Sequence, residues 1–261
     1  MKTGSGHRSA DSRKYSAEVA DRYVDQPRFP SRYSGQPIRR RLVRRRIFSC
    51  EVRPVTRKTE FDVLLFDLGG VLTDFAGFEE LGRLSPITRD PAAVRDMWIA
   101  AESVRRFERG DISPQDFARR VVEEFHLGLP EEEFIHEFVS WVRGPYPGAL
   151  QLLRRLQNTH RIACLSNSNE LHTPLHRQSL QTHIERFYFS DELGHVKPDR
   201  EIFDHVIRDL AISPQRIAFF DDTPVNVEAA RTAGLSAFLV DGITALGAQL
   251  QALGLLDRPF V

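Results

Sequence analysis

The stretch Phe61 to Asp74, FDVLLFDLGGVLTD, sets an aspartate directly behind a short, unbroken apolar run. Val63, Leu64, Leu65 and Phe66 have the length and β-rich character of a strand covered on both faces of a parallel sheet. Asp67 ends the run, and a carboxylate behind a buried strand is costly unless something pairs with it. In open α/β sheets the carboxyl ends of the strands are where ligands bind. Gly69 and Gly70 follow at once and let the backbone turn tightly against whatever Asp67 touches. An aspartate here also serves simply to cap a turn, and the rest of the chain decides between the two.

Three later stretches repeat the pattern. Ser166-Asn167 follows the run Arg161 to Leu165, Lys197-Pro198 lies shortly beyond Phe187 to Phe189, and Asp221-Asp222 follows Ile217 to Phe220. With Ala237 to Val240 these runs make five strands alternating with helical stretches, which predicts an α/β fold with a doubly wound parallel sheet. Strand ends carrying a carboxylate, a hydroxyl, a lysine and an acidic pair make a site for phosphate and a metal ion.

The ordered set FDLGGV, LSNSN, KPD and FFDDTPVNVEAA resembles the four motifs of the haloacid dehalogenase-like (HAD) hydrolase superfamily, over about Phe61 to Asp241. Within it the chain is most similar to small phosphatases of the α-glucose-1-phosphate phosphatase type, down to the phrase FERGDISPQDFA. The resemblance implies a Rossmann-type five-stranded core with an inserted helical cap. It also implies Mg²⁺-dependent hydrolysis of a small phosphorylated metabolite through an aspartyl-phosphate. Asp67 becomes the nucleophile, and Lys197 the cation that shields it and the phosphoryl group. The Ser166 hydroxyl and the Asn167 backbone N–H become phosphate ligands. Asp67, the Gly69 carbonyl and Asp222 become the metal ligands, with Asp221 and Asn226 beside them and Asp221 as the substitute ligand.

One departure matters. Phosphatases of the superfamily usually carry a second aspartate two residues after the nucleophile as general acid and base, and Gly69 stands there in this chain. Such help is typically worth roughly 10² to 10⁴-fold. Either another group supplies it, or the enzyme favours esters whose alcohol leaves easily, of which a sugar 1-phosphate is one. Two rival functions are a 2-haloacid dehalogenase, which would have no use for the acidic pair, and a catalytically silent module that binds a phosphorylated ligand.

Residues 59–74 and 146–261 are read as the core and 75–145 as the cap. The cap shows helix signals and no strand signals: Asp90-Pro91, Ser113-Pro114 and Pro130 with Glu131, Glu132 and Glu133 each open a helix. Its aromatic residues are expected to pack, and Arg143-Gly144-Pro145 to be a hinge back to the core. His172, His176 and His183 lack the spacing of a zinc site and are expected at the surface or the substrate's edge.

The formal net charge of zero hides a division. The first 60 residues hold 16 of the 36 basic and 6 of the 36 acidic side chains, which leaves 20 against 30 for the remainder. An acidic body does not suit nucleic acid as a substrate of the folded core. Residues 1–58 lack apolar periodicity and are expected to be a disordered basic tail. Its arginine triplets at 39–41 and 44–46 name no target, and a start of translation near Lys58 is a further reading of the segment. Two cysteines, Cys50 and Cys164, make no disulfide framework and fit a reducing cytoplasm. No apolar run nears the roughly 20 residues of a bilayer span, so no membrane partner is expected.

Overall fold

The computed structural model describes residues 60–256, so the segment 1–58, with its arginine triplets and Cys50, lies outside the described residues. Strand β1 (Val63–Phe66) leads through the glycine turn to β2 (Thr73–Phe75). Five helices follow: α1 (Gly77–Leu84), α2 (Pro91–Ala100), α3 (Glu102–Glu108), α4 (Pro114–Glu124) and α5 (Glu131–Ser140). After β3 (Val142–Pro145) come α6 (Ala149–Leu156), β4 (Arg161–Ser166), α7 (Thr173–Leu180), β5 (Arg186–Phe189) and the short α8 (Ser190–Leu193). The chain ends with α9 (Arg200–Leu210), β6 (Ile217–Asp221), α10 (Pro224–Thr232), β7 (Ser236–Leu239) and α11 (Gly242–Ala252).

The main sheet is parallel, in the order β5-β4-β1-β6-β7. All five strands lie within one residue of the predicted runs at each end. β1 is central, which is why it is apolar throughout. Leu64 and Phe66 enter a core with Leu152, Leu153 and Phe220, whereas Val63 and Leu65 enter another with Phe203, Val206 and Phe219. Burying each such side chain contributes about 1.5–3 kcal/mol. The chain winds from β1 to β4 and β5, then crosses to β6 and β7 on the other side, so the topological switch point lies at the carboxyl end of β1.

The helices between β2 and β3 have a core of their own. Trp98, Phe107, Phe117, Phe125, Phe134, Phe138 and Trp141 are buried together, the packing role expected of these aromatics. The helix starts follow the predicted chemistry: the Asp90 side chain accepts from the Ala92 N–H and Ser113 from the Asp116 N–H, each with proline in the first turn.

One expectation fails. The segment 75–145 does contain strand: β2 and β3 pair antiparallel, Thr73 opposite Pro145 and Asp74 opposite Gly144. The presumed hinge Arg143-Gly144-Pro145 is therefore one arm of a hydrogen-bonded ribbon at the insert's base. Strands this short carry no periodic signal, and Gly144 (φ +101°) and Pro145 read as breakers.

Phe107 stacks on Phe117 with ring centroids 4.1 Å apart. Phe117→Ala is expected to cost about 3–5 kcal/mol of stability, measurable as a lower urea midpoint. A loss under about 1 kcal/mol would show that the insert's core closes over the gap.

Candidate active site

The site is built at the carboxyl ends of β1 and β6. Phe66 pairs with Phe220, and the Asp67 N–H donates to the Phe220 carbonyl at 2.9 Å, so Asp67 and Asp221 leave adjacent strands side by side. Lys197 lies between them, its Nζ 2.9 Å from Asp67 Oδ1 and 2.6 Å from Asp221 Oδ2. Lys197 is only 3% exposed and Asp221 fully buried. Asp221 also accepts from the Thr223 N–H at 2.8 Å and from Asn226 Nδ2 at 3.1 and 3.2 Å. Asn167, just past β4, carries the lysine to its place. Its Nδ2 donates to the Lys197 carbonyl at 3.0 Å, and its Oδ1 accepts from the Lys197 N–H at 2.8 Å.

Asp222 turns the other way. It accepts from the Thr223 hydroxyl at 3.0 Å and pairs with Arg95 Nη2 of α2 at 3.0 Å. Arg95 also donates to Thr223 Oγ1 at 2.7 Å. Gly70, at φ +72°, packs against this carboxylate, and a Cβ there would come within 2.4 Å of Asp222 Oδ2. At Gly69 a Cβ would meet only Phe75, at 3.6 Å.

One oxygen from each of Asp67, Asp221 and Asp222 lies within 4.8 Å of the other two. Three carboxylates thus face two cations, Lys197 and Arg95. Burial raises the Asp67 carboxyl to about 7; Lys197 opposes the rise, and Asp221 and Asp222 add to it. Burial also raises Asp222 against the pull of Arg95. For Lys197, burial acts downward, but Asp221 and Asp67 outweigh it and hold the ammonium charged. A close, acid-rich oxygen cluster of this kind fits a hard divalent cation.

A cleft of about 330 Å³ opens between this edge and the helical insert. Asp67, Gly69, Ser166, Asn167, Lys197 and Asp222 all line it, so the residues singled out in the sequence converge. Asp221 lies behind the lining, beneath Lys197. The Ser166 hydroxyl donates to the Asn167 carbonyl at 3.4 Å.

The histidines differ from expectation only in how deeply two of them are buried. His172 and His176 are buried: His172 stacks on Phe138 with centroids 4.2 Å apart and donates to the Phe138 carbonyl at 2.8 Å, and His176 stacks on Phe189. Burial lowers them to about 4 and about 3, so both are neutral wall residues of the cleft. Aromatic partners from distant elements cover them, which no local pattern announces. His183 is half-buried, with Nδ1 3.3 Å from Gln157 Oε1.

Among the lining residues that sequence reasoning did not single out are Arg95 and Glu108. Glu108 is half-buried at the end of α3 and lines the cleft with Asn167. Burial raises its carboxyl to about 7 against the pull of Lys197 and Asn167. In the run ESVRRFERGD it passes for one charge among several on a solvated face.

The family model of the haloacid dehalogenase-like hydrolases matches residues 61–234, which include the whole of this cluster. The chain belongs to the haloacid dehalogenase-like hydrolase family. Among HAD relatives it is 24% identical over 189 residues to the D-ribitol-5-phosphate phosphatase of Bacteroides thetaiotaomicron, covering 67% of this chain and 89% of that one. It is 29% identical over 190 residues to the phosphorylated carbohydrates phosphatase of Thermotoga maritima, covering 67% and 82%. Its fold is similar to that of a HAD family enzyme of Bacteroides thetaiotaomicron, solved with magnesium and inorganic phosphate. That match has a TM-score of 0.55 at 24% identity and covers 69% of this chain and 94% of the other.

Because the Asp67 carboxyl is raised, the folded HAD chain holds its proton more tightly than the unfolded chain does. Stability is therefore lost as pH climbs from the ordinary carboxylate range through about 7. Asp67→Asn is expected to melt above the wild type in EDTA at about pH 8, with the advantage shrinking as pH falls toward about 4. Thermal melts across that range check this. A variant that melts lower at the alkaline end would show that the pairing with Lys197 outweighs the burial cost.

Proposed function

We propose that the chain is a Mg²⁺-dependent phosphatase of small phosphomonoesters, phosphorylated sugars and polyols among them, working through an aspartyl-phosphate on Asp67. The observation that carries this is the convergence of Asp67, Asp221 and Asp222, with a buried Lys197 paired to the first two. A carboxylate approaches a phosphate dianion only where positive charge is fixed beside it. In this reading one Asp67 oxygen bonds to phosphorus as the alcohol departs, and Lys197 shields both partners. The Ser166 hydroxyl and Asn167 N–H bind the remaining phosphoryl oxygens. Asp67, the Gly69 carbonyl and Asp222 hold Mg²⁺, which neutralises charge on the phosphoryl oxygens when bound. Asp221 keeps Lys197 in place rather than touching substrate. Arg95 is the group the cation would compete with at Asp222.

The two curated relatives, named for ribitol 5-phosphate and phosphorylated carbohydrates, support this substrate class. So does the solved relative with magnesium and phosphate. Residues 75–145 act as the cap that chooses the alcohol. The preference for a sugar 1-phosphate rests on the lack of an acid at Gly69. Glu108 in the same cleft lifts that restriction and brings esters of primary alcohols within range.

Phosphate release from p-nitrophenyl phosphate tests the proposal. Activity is expected to require Mg²⁺, to vanish in EDTA and to return when the ion is restored. Asp67→Asn should fall below about 1% of the wild-type rate, given the many orders of magnitude that enzymes supply. Undiminished turnover in EDTA would sink the metal role, and metal-independent halide release from a 2-haloacid would favour the dehalogenase. Binding of phosphate without turnover would favour the silent module.

A further inference from the structure

Glu108 has a position that neither phosphate nor cation binding explains. It lines the cleft with Asp67, Lys197 and Asn167. Asn167, beside it in the lining, holds the Lys197 backbone from both sides, so the lysine that Glu108 shares the cleft with is fixed in place. Helix α3 is anchored at this end twice over. Phe107 is buried in the insert's core against Phe117, and Arg105 is ion-paired with Asp199, two residues past Lys197. The charged groups that act on Glu108 are Lys197 and Arg105, which favour its carboxylate, and Asp67, which disfavours it. Burial outweighs the cations and raises the carboxyl to about 7. Part of the population therefore carries the proton at neutral pH, as a general acid needs. Asp241, which also lines the cleft, is exposed on the loop after β7.

We propose that Glu108 is the general acid and base of the reaction, supplied from the cap in place of a residue at position 69. This rests on the phosphatase reading above. In the first step an Asp67 oxygen bonds to phosphorus, the bond from phosphorus to the alcohol oxygen breaks, and the Glu108 proton passes to that oxygen. In the second step water bonds to phosphorus and gives a proton to the Glu108 carboxylate as the bond to Asp67 breaks. Inorganic phosphate leaves, Asp67 is again a carboxylate, and Glu108 is again protonated.

Two esters of similar size separate this from a structural role: p-nitrophenyl phosphate, whose phenolate leaves unaided, and benzyl phosphate, whose alkoxide does not. With Mg²⁺ present, Glu108→Gln is expected to lower kcat/KM for benzyl phosphate by roughly 10² to 10³-fold, but for p-nitrophenyl phosphate by less than about tenfold. In the wild type, kcat/KM for benzyl phosphate is expected to fall as pH rises through about 7, a fall absent with the nitrophenyl ester. Equal losses on both esters, no loss on benzyl phosphate, or the ester-selective loss appearing in Asp241→Asn instead would overturn the assignment. So would a wild type that hydrolyses the nitrophenyl ester and not the benzyl one; in each of these cases the phosphatase reading stands. A wild type inactive on both esters removes that reading and Glu108's role together.

Discussion

The ammonium of Lys197, shared by Asp67 and Asp221 in the interior, is the interaction on which the carboxyl edge of the sheet depends. Removing the lysine from such a buried set strands both carboxylates, which is far costlier than losing a surface pair. Three separate pieces of backbone have to be right at once for it to exist. The pairing of β1 with β6 sets the two aspartates side by side, and the loop after α8 delivers the lysine. The Asn167 amide, at the end of β4, fixes that loop. Strand order and site geometry are thus one problem: a sheet assembled in any other order would leave these charges buried without one another.

The helical insert meets the rest of the molecule through apolar packing, with Leu171, Leu175 and the His172 ring against its aromatic cluster, and through polar side chains at the cleft. Its own aromatic cluster holds its helices together. Arg95 reaches Asp222 and Thr223, and Arg105 reaches Asp199. Arg95 and Arg105 are partly exposed, so salt screens their pairings more than it does the buried lysine. Apolar packing makes the insert a stable body and ties it to the segment after β4, and the charged contacts join it to the rim of the cleft.

Much of this was legible in the chain itself. Strands buried on both faces cannot alternate, so they stand out as apolar runs, and the polar residues that follow them mark the ligand edge. Asp67, Ser166, Asn167, Lys197 and Asp222 were found that way. Glu108 and Arg95 were not, because each sits on a charged helix far along the chain, and only the folding of the insert turns it toward Asp67. The β2–β3 ribbon was hidden by its brevity, and His172 and His176 by partners that come from other elements. The resemblance to the HAD motifs picked out the residues that gather round Asp67, and Gly69 stood out in the sequence itself as a departure from the superfamily's usual aspartate.

The two adjacent glycines of the first loop differ in what they permit. At Gly70 the left-handed backbone and the nearness of Asp222 forbid any side chain. At Gly69 the backbone is ordinary and a Cβ meets nothing closer than Phe75 at 3.6 Å. Where a glycine codon ends in a pyrimidine, one base change writes aspartate. Position 69 is therefore a mutational step that stays open, while position 70 is closed to every lineage that keeps this cluster.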